Sequence, residues 1–247
     1  MKIFLAIAYC LFSFSNLNAQ DKVKLYGRVT DFRGNPMDSV SIRLKNKSFE
    51  NLFETLSDKN GDFSMQVDKG NYFCIYAIKL SDYGKSKLEY WAWNIPINKD
   101  LEINPKYQRI EIYGINAFEP QVSPFETYNI FFRPMSLTKS LKINRINIKK
   151  GDTLNISPEK ISPEEISIKI NGVDSKIVSI NKTIEYARGN FLYSYNIQIL
   201  KPHKNFNLLN ENEKIKGYNK ITIILNSKET NESGMGEYYY KKNEYTE

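Results

Sequence analysis

The sequence predicts an all-β protein built from two β-sandwich domains, and three observations carry that reading. Apolar and polar residues alternate with period two, as at Val23, Leu25, Gly27 and Val29 and again at Tyr72, Cys74, Tyr76 and Ile78; this is the mark of half-buried strands. Short turns rich in Gly, Asn and Asp separate the runs, at Gly34-Asn35-Pro36, Asn60-Gly61 and Asn171-Gly172, and supply the positive and fixed φ angles that tight reversals need. No long segment repeats with a period of 3.6, so almost no helix is expected.

Residues 1–19 read as a secretory leader. Lys2 gives the positive start, Ile3 to Phe14 the apolar run, and Leu17-Asn18-Ala19 the small-residue exit before Gln20. The run is well short of the roughly 18 residues that span a bilayer, so export without a transmembrane segment is expected. Cys10 sits mid-run behind Tyr9, away from the position a lipid-modified cysteine needs. Residues 20–137 form the first expected domain, with strands around Val23–Val29, Val40–Leu44, Phe63–Val67 and Tyr72–Ile78 and an extension from Tyr90 to Arg133. Residues 138–240 form the second. Glu165–Ile170, Asn171-Gly172 and Val173–Ile180 predict a hairpin on a type I′ turn. Phe191–Leu200 and Lys220–Asn226 follow as strands, then a polar loop Ser227–Gly236 and a last strand Glu237–Tyr240. The basic run Lys139–Lys150, interleaved with Leu141, Ile143, Ile146 and Ile148, reads as a half-exposed strand. Residues 241–247 are expected to fray.

At 41% hydrophobic and 13% aromatic, the chain can bury a sizeable core. The formal charge of +7 is scattered over Lys-rich faces; in an exported protein it argues little for nucleic acid and is compatible with an anionic glycan or an acidic partner. Cys10 leaves with the leader, so Cys74 stands alone, and stability must come from packing rather than an internal disulfide.

The quoted turns form a known pattern. Gly27-Arg28-Val29-Thr30-Asp31, Gly34-Asn35-Pro36, Asp58-Lys59-Asn60-Gly61-Asp62-Phe63 and Gly70-Asn71-Tyr72 resemble the carboxypeptidase-regulatory-like domain, a transthyretin-like β-sandwich of secreted bacterial proteins. One step departs: Asp38-Ser39 stands where that family has Gly-Ala. The resemblance covers about residues 21–80 and implies a fold and a compartment, since that domain is an accessory module without an active site. More faintly, the Gly-rich loop before the final aromatic strand is similar to the last hairpin of bacterial immunoglobulin-like domains.

Little catalytic chemistry is readable. His203 is the single histidine, no His/Cys cluster has zinc spacing, and no serine sits in a nucleophile elbow. In Asp58–Asp62 the glycine falls in the wrong place for a calcium loop, so a β-turn is the better reading. Adjacent Glu164 and Glu165 point to opposite strand faces and make a poor acid/base pair. No metal and no cofactor is expected. The sequons at Asn46, Asn155, Asn181 and Asn231 are expected by chance in so Asn-rich a chain.

The candidate ligand residues are Tyr90, Trp91, Trp93 and Asn94. Both tryptophans of the chain lie two apart, hence on one strand face. As a platform they would stack against a sugar ring or anchor a partner; as core they would continue into Ile95 and Ile97, leaving Tyr90 and Asn94 as the exposed alternates. Core packing is the preferred of the two. The expected function is a non-enzymatic exported binding or scaffold protein recognising a glycan or a cell-envelope protein. The alternative is a structural or assembly subunit that adds exposed strand edges to a neighbour's sheet. A carboxylate-dependent hydrolase comes last.

Overall fold

In the computed structural model, which describes residues 21–122, 125–143, 147–202 and 215–242, the strands assemble into three sheets. The leader and His203 lie outside the described residues. The smallest sheet pairs β1 (Lys22–Arg28) with β4 (Asp62–Asp68) antiparallel and with the two-residue β7 (Leu101–Glu102) in parallel. Alternation puts Val23 and Leu25 inward, and Lys24, Tyr26 and Arg28 outward.

The largest sheet runs through both halves of the chain. Its N-terminal part is β3 (Asn51–Leu56), β2 (Ser41–Lys45), β5 (Gly70–Ile78) and β6 (Tyr90–Ile97). Its C-terminal part is β16 (Glu232–Lys241), β15 (Tyr218–Ser227), β11 (Ile166–Ile170) and the short β12 (Val173–Asp174). The two parts meet where β16 lies parallel to β6, with Gly236 opposite Trp91 and Tyr238 opposite Trp93.

The third sheet holds β8 (Ile110–Phe118), β9 (Thr127–Ser136), β14 (Asn190–Leu200), β13 (Ile177–Ala187) and the two-residue β10 (Thr153–Leu154). It packs on one face of the large sheet. Gly234 and Gly236 make this approach possible, because a Cβ on Gly234 would stand 2.2 Å from the Ile110 carbonyl and one on Gly236 2.8 Å from Ile115. The small sheet lies against the other face of the N-terminal part: Lys22 sits over the Phe53 ring and the Tyr72 hydroxyl donates to the Asp68 carbonyl. The molecule is therefore two sandwiches, offset on opposite faces of one shared sheet.

This corrects the expected partition into separable domains at 137/138. β8 and β9, placed in the first domain by sequence, pair with each other, and β9 pairs with β14 of the second. β6 and β16 join the halves by backbone hydrogen bonds, and the buried residues of both form one core. Period-two patterning reports that a strand is half buried, not which strand it pairs with.

Smaller differences have local causes. The described part of the basic run Lys139–Lys150 is not a strand: Ser136 Oγ accepts the Lys139 N–H and starts the six-residue helix α1 (Leu137–Lys142). The expected loop Ser227–Gly236 is a tight turn followed by strand, its glycines serving sheet contact. Lys241 ends β16 rather than fraying, and the Lys242 N–H donates to the Gly217 carbonyl. Asn171-Gly172 does take the paired positive φ angles, 50° and 83°, of a type I′ turn. The Asp58 carboxylate accepts the N–H groups of Asn60 and Asp62, an Asx turn. Glu165 is buried on Ser162 and the Lys228 N–H, while Glu164 points to solvent.

Candidate functional site

Two regions meet the sequence expectations in different ways: a buried seam around β6 and an open strand edge on β13. The seam begins with β6, which is flanked by β5 and β16 and so has both hydrogen-bonding sides filled. Trp91 and Trp93 stack on each other at 5.2 Å and 16°. Tyr76 and Phe73 from β5 meet them edge-on, as does Tyr113 from β8. Phe49, at φ 63° in the β2–β3 loop, closes the group from above. Each tryptophan is only 6% exposed. The ring faces a sugar would need are already in contact with other rings.

Of the other two candidates, Tyr90 is fully buried, and its hydroxyl donates 2.7 Å to Glu237. The expectation that it is an exposed alternate is therefore corrected: β6 is central, so both of its faces are covered. Asn94 is half-buried at φ 56° and donates to the Tyr239 carbonyl across the β6–β16 joint. The four residues occur together because they share a strand, not because they surround a common space.

Titratable groups line the same seam. The Trp91 indole donates 2.7 Å to Glu111, which is buried beside Glu89. Burial, and then the charge of Glu89, push the Glu111 carboxyl well above the ordinary glutamate range; burial likewise raises Glu89. Two neighbouring buried carboxyls disfavour ionisation of both at once. Burial also lifts the Tyr76 and Tyr113 hydroxyls, lowers the Lys45 ammonium, and pushes the Cys74 thiol up to about 12. Perturbed groups often mark active sites. Here each carboxyl and aromatic faces another side chain of the protein, and the arrangement binds the two sandwiches together.

Glu232 is a second fastening, with its side chain only 1% exposed. It accepts from Arg109 Nε at 2.9 Å and from both the N–H and hydroxyl of Thr138, with Ser136 on its other oxygen. β16 is thereby tied to the start of β8 and to the cap of α1.

The strand edge was missed by sequence, which ended its strand at Ile180. The missed signal is the continued alternation Ile180, Lys182, Ile184, Tyr186 running into the turn Arg188-Gly189, whose φ angles are 50° and 92°. β13 pairs with β14 alone and so forms a long edge. The Phe191 N–H points away from β13 to the Asp152 carbonyl. Its opposite residue Tyr186 therefore turns its own N–H and C=O outward, as do Ile184, Lys182 and Ile180 by alternation. Among the described residues no backbone group meets them. Ile184 and Tyr186 are each 60% exposed. Both charges of the strand are held internally: Lys182 lies 2.7 Å from Glu159 and over the Tyr193 ring, and Glu185 pairs with Arg133.

No protein-family model matches the chain. Among solved structures it is similar to the major pilin subunit BcpA of Bacillus cereus (a D312A variant), at 13% identity over 90% of this chain and 69% of that one, TM-score 0.28. It is also similar to a DUF3823 family protein of Parabacteroides merdae, at 12% identity over 89% and 98%, TM-score 0.25. The Corynebacterium diphtheriae major pilin SpaA matches at 7% identity over 82% and 62%, TM-score 0.25. Likeness at these scores carries no argument about what this chain does. The all-β sandwich architecture rests on the strands themselves. Among the described residues no helix is long and apolar enough to cross a membrane.

Proposed function

We propose that this protein is a non-enzymatic structural or assembly subunit of the cell envelope, joined to its neighbours through a strand edge. The observation that carries this reading is β13: a long edge strand, paired on one side only among the described residues, that exposes Ile184 and Tyr186 and pairs both its charges within the molecule. Edges left this way are templates for strand addition, because proteins that must stay apart usually block them with charge or proline. The leader read at residues 1–19 supports export, and the turn motifs of residues 21–80 support a carboxypeptidase-regulatory-like first sandwich with no catalytic role. The test is native electrophoresis of envelope fractions from cells expressing the wild type or Ile184→Lys. A shift of the variant alone to the free position supports the reading; equal migration of both in the large complex overturns it.

A second reading, recognition of a glycan or other polar ligand, draws on one feature. An open concavity of about 850 Å³ lies on the outer face of β1, where Tyr26, Arg28, Asp62, Glu102 and Asn104 converge. Its test is a titration of wild type and Tyr26→Ala with envelope oligosaccharides by calorimetry. Heat from the wild type alone would favour it.

A further inference from the structure

We infer that the occupant of the β13 edge is a second copy of the same strand, paired antiparallel about a two-fold axis at Thr183. This deepens the assembly reading and rests on it. The argument is one of register. In a two-fold antiparallel pair, one residue faces its own mate, and residues equally spaced on either side face each other. An axis at Lys182 would set two lysines in opposition, and one at Glu185 two glutamates. An axis at Asn181 would run the pairing into the register shift between Ile177 and Ser179. An axis at Ile184 shortens the overlap and brings Arg188, in the turn, against Ile180.

Thr183 avoids all of these. Ile180 then faces Tyr186 of the second copy, an aromatic against a β-branched side chain. Thr183 faces Thr183, and Asn181 faces Glu185; each is a favourable or neutral cross-strand pair. Lys182 faces Ile184, and these two carry outward N–H and C=O groups, so they form the hydrogen-bonded pair. Thr183 turns its backbone inward to β14 and forms the close, non-bonded pair, with Cα atoms about 4.5 Å apart. The charges that would oppose self-pairing are neutralised within each copy by Glu159 and Arg133. The third sheet then runs unbroken from one molecule into the next.

That geometry suits a disulfide, which accepts Cα separations of about 4.4–6.8 Å. The experiment is oxidation of the full mature chain carrying Thr183→Cys. Cys74 is buried, with its thiol raised to about 12, so it does not compete. We expect Thr183→Cys to give a covalent dimer by intact mass. Asn181→Cys alone should give none, while a mixture of Asn181→Cys and Glu185→Cys should cross-link. Ile184→Pro removes only an outward N–H and should be monomeric by light scattering with an unchanged thermal midpoint; Ile184→Lys replaces it if the proline variant is misfolded. A wild type that is monomeric at every concentration, or cross-linking by Asn181→Cys but not Thr183→Cys, overturns the pairing. If Thr183→Cys stays unlinked while Ile184→Pro still releases the protein from its envelope complex, self-pairing fails and the assembly reading stands. If Ile184→Pro leaves that complex intact, both fail.

Discussion

β6 and β13 are built from similar material and have opposite fates. Each sets isoleucine and aromatic side chains at alternate positions, and each carries residues suited to recognition. β6 has a strand on either side and a sheet packed over its tryptophans, so its rings are interior. β13 has one neighbour, so its isoleucine and tyrosine meet solvent. Position within the sheet, more than composition of the strand, decides whether aromatic residues hold a protein together or present it to others.

The contrast is broken first at the seam. Trp91→Ala or Trp93→Ala should destabilise by about 3–5 kcal/mol in denaturant melts, the cost of emptying a packed aromatic site. A wild-type midpoint for both variants would make β6 a surface strand and erase the comparison. Glu232→Ala should cost about 2–3 kcal/mol, since charge-assisted hydrogen bonds from Arg109, Thr138 and Ser136 lose their acceptor; urea unfolding followed by intrinsic fluorescence measures it.

A third effect sharpens the seam's electrostatics. Glu89 and Glu111 have folded-state pKa values raised above the ordinary 4.5. The folded protein therefore holds protons there that the unfolded chain releases. Their stabilising contribution is complete below about pH 4.5 and is lost as pH rises through the raised values. Glu111→Gln should flatten this part of the stability profile, measured as midpoint against pH; a profile identical to the wild type would show that Glu111 holds no such proton. The smallest effect belongs to the edge. Ile184→Lys should change stability by no more than about 0.5 kcal/mol, as exposed substitutions do. A loss as large as that of a seam tryptophan would mean β13 is interior in the free protein.

Strand content, the type I′ turn and the core role of the tryptophans were legible because each depends on local alternation or on one dipeptide. The all-β sandwich architecture was legible as well; the sheet shared by both halves of the chain was not. Nothing in Tyr90–Ile97 indicates that its second neighbour lies in Glu232–Lys241. Pairing at that distance leaves no local trace, because a parallel partner needs no turn beside it. Gly234 and Gly236 illustrate the same limit. In sequence they look like turn residues, and only the approach of Ile110 and Ile115 shows that they are gaps left for another sheet. Tyr90 was misplaced for a related reason, since alternation predicts an exposed face only for strands covered on one side.

The parallel contact of β6 with β16 also orders events in time. β6 is made long before β16, so the N-terminal part of the large sheet waits for every intervening strand before this neighbour arrives. Until then one margin of β6 is bare and the tryptophan pair lacks Tyr238 beside it. Contacts of such long sequence separation form late, and the interval exposes a sticky margin to other chains. A chain interrupted before Glu232 retains every residue of the first sandwich and still lacks the strand that completes its sheet. The joint thus makes the closing of the seam depend on a strand made long after the tryptophans beside it.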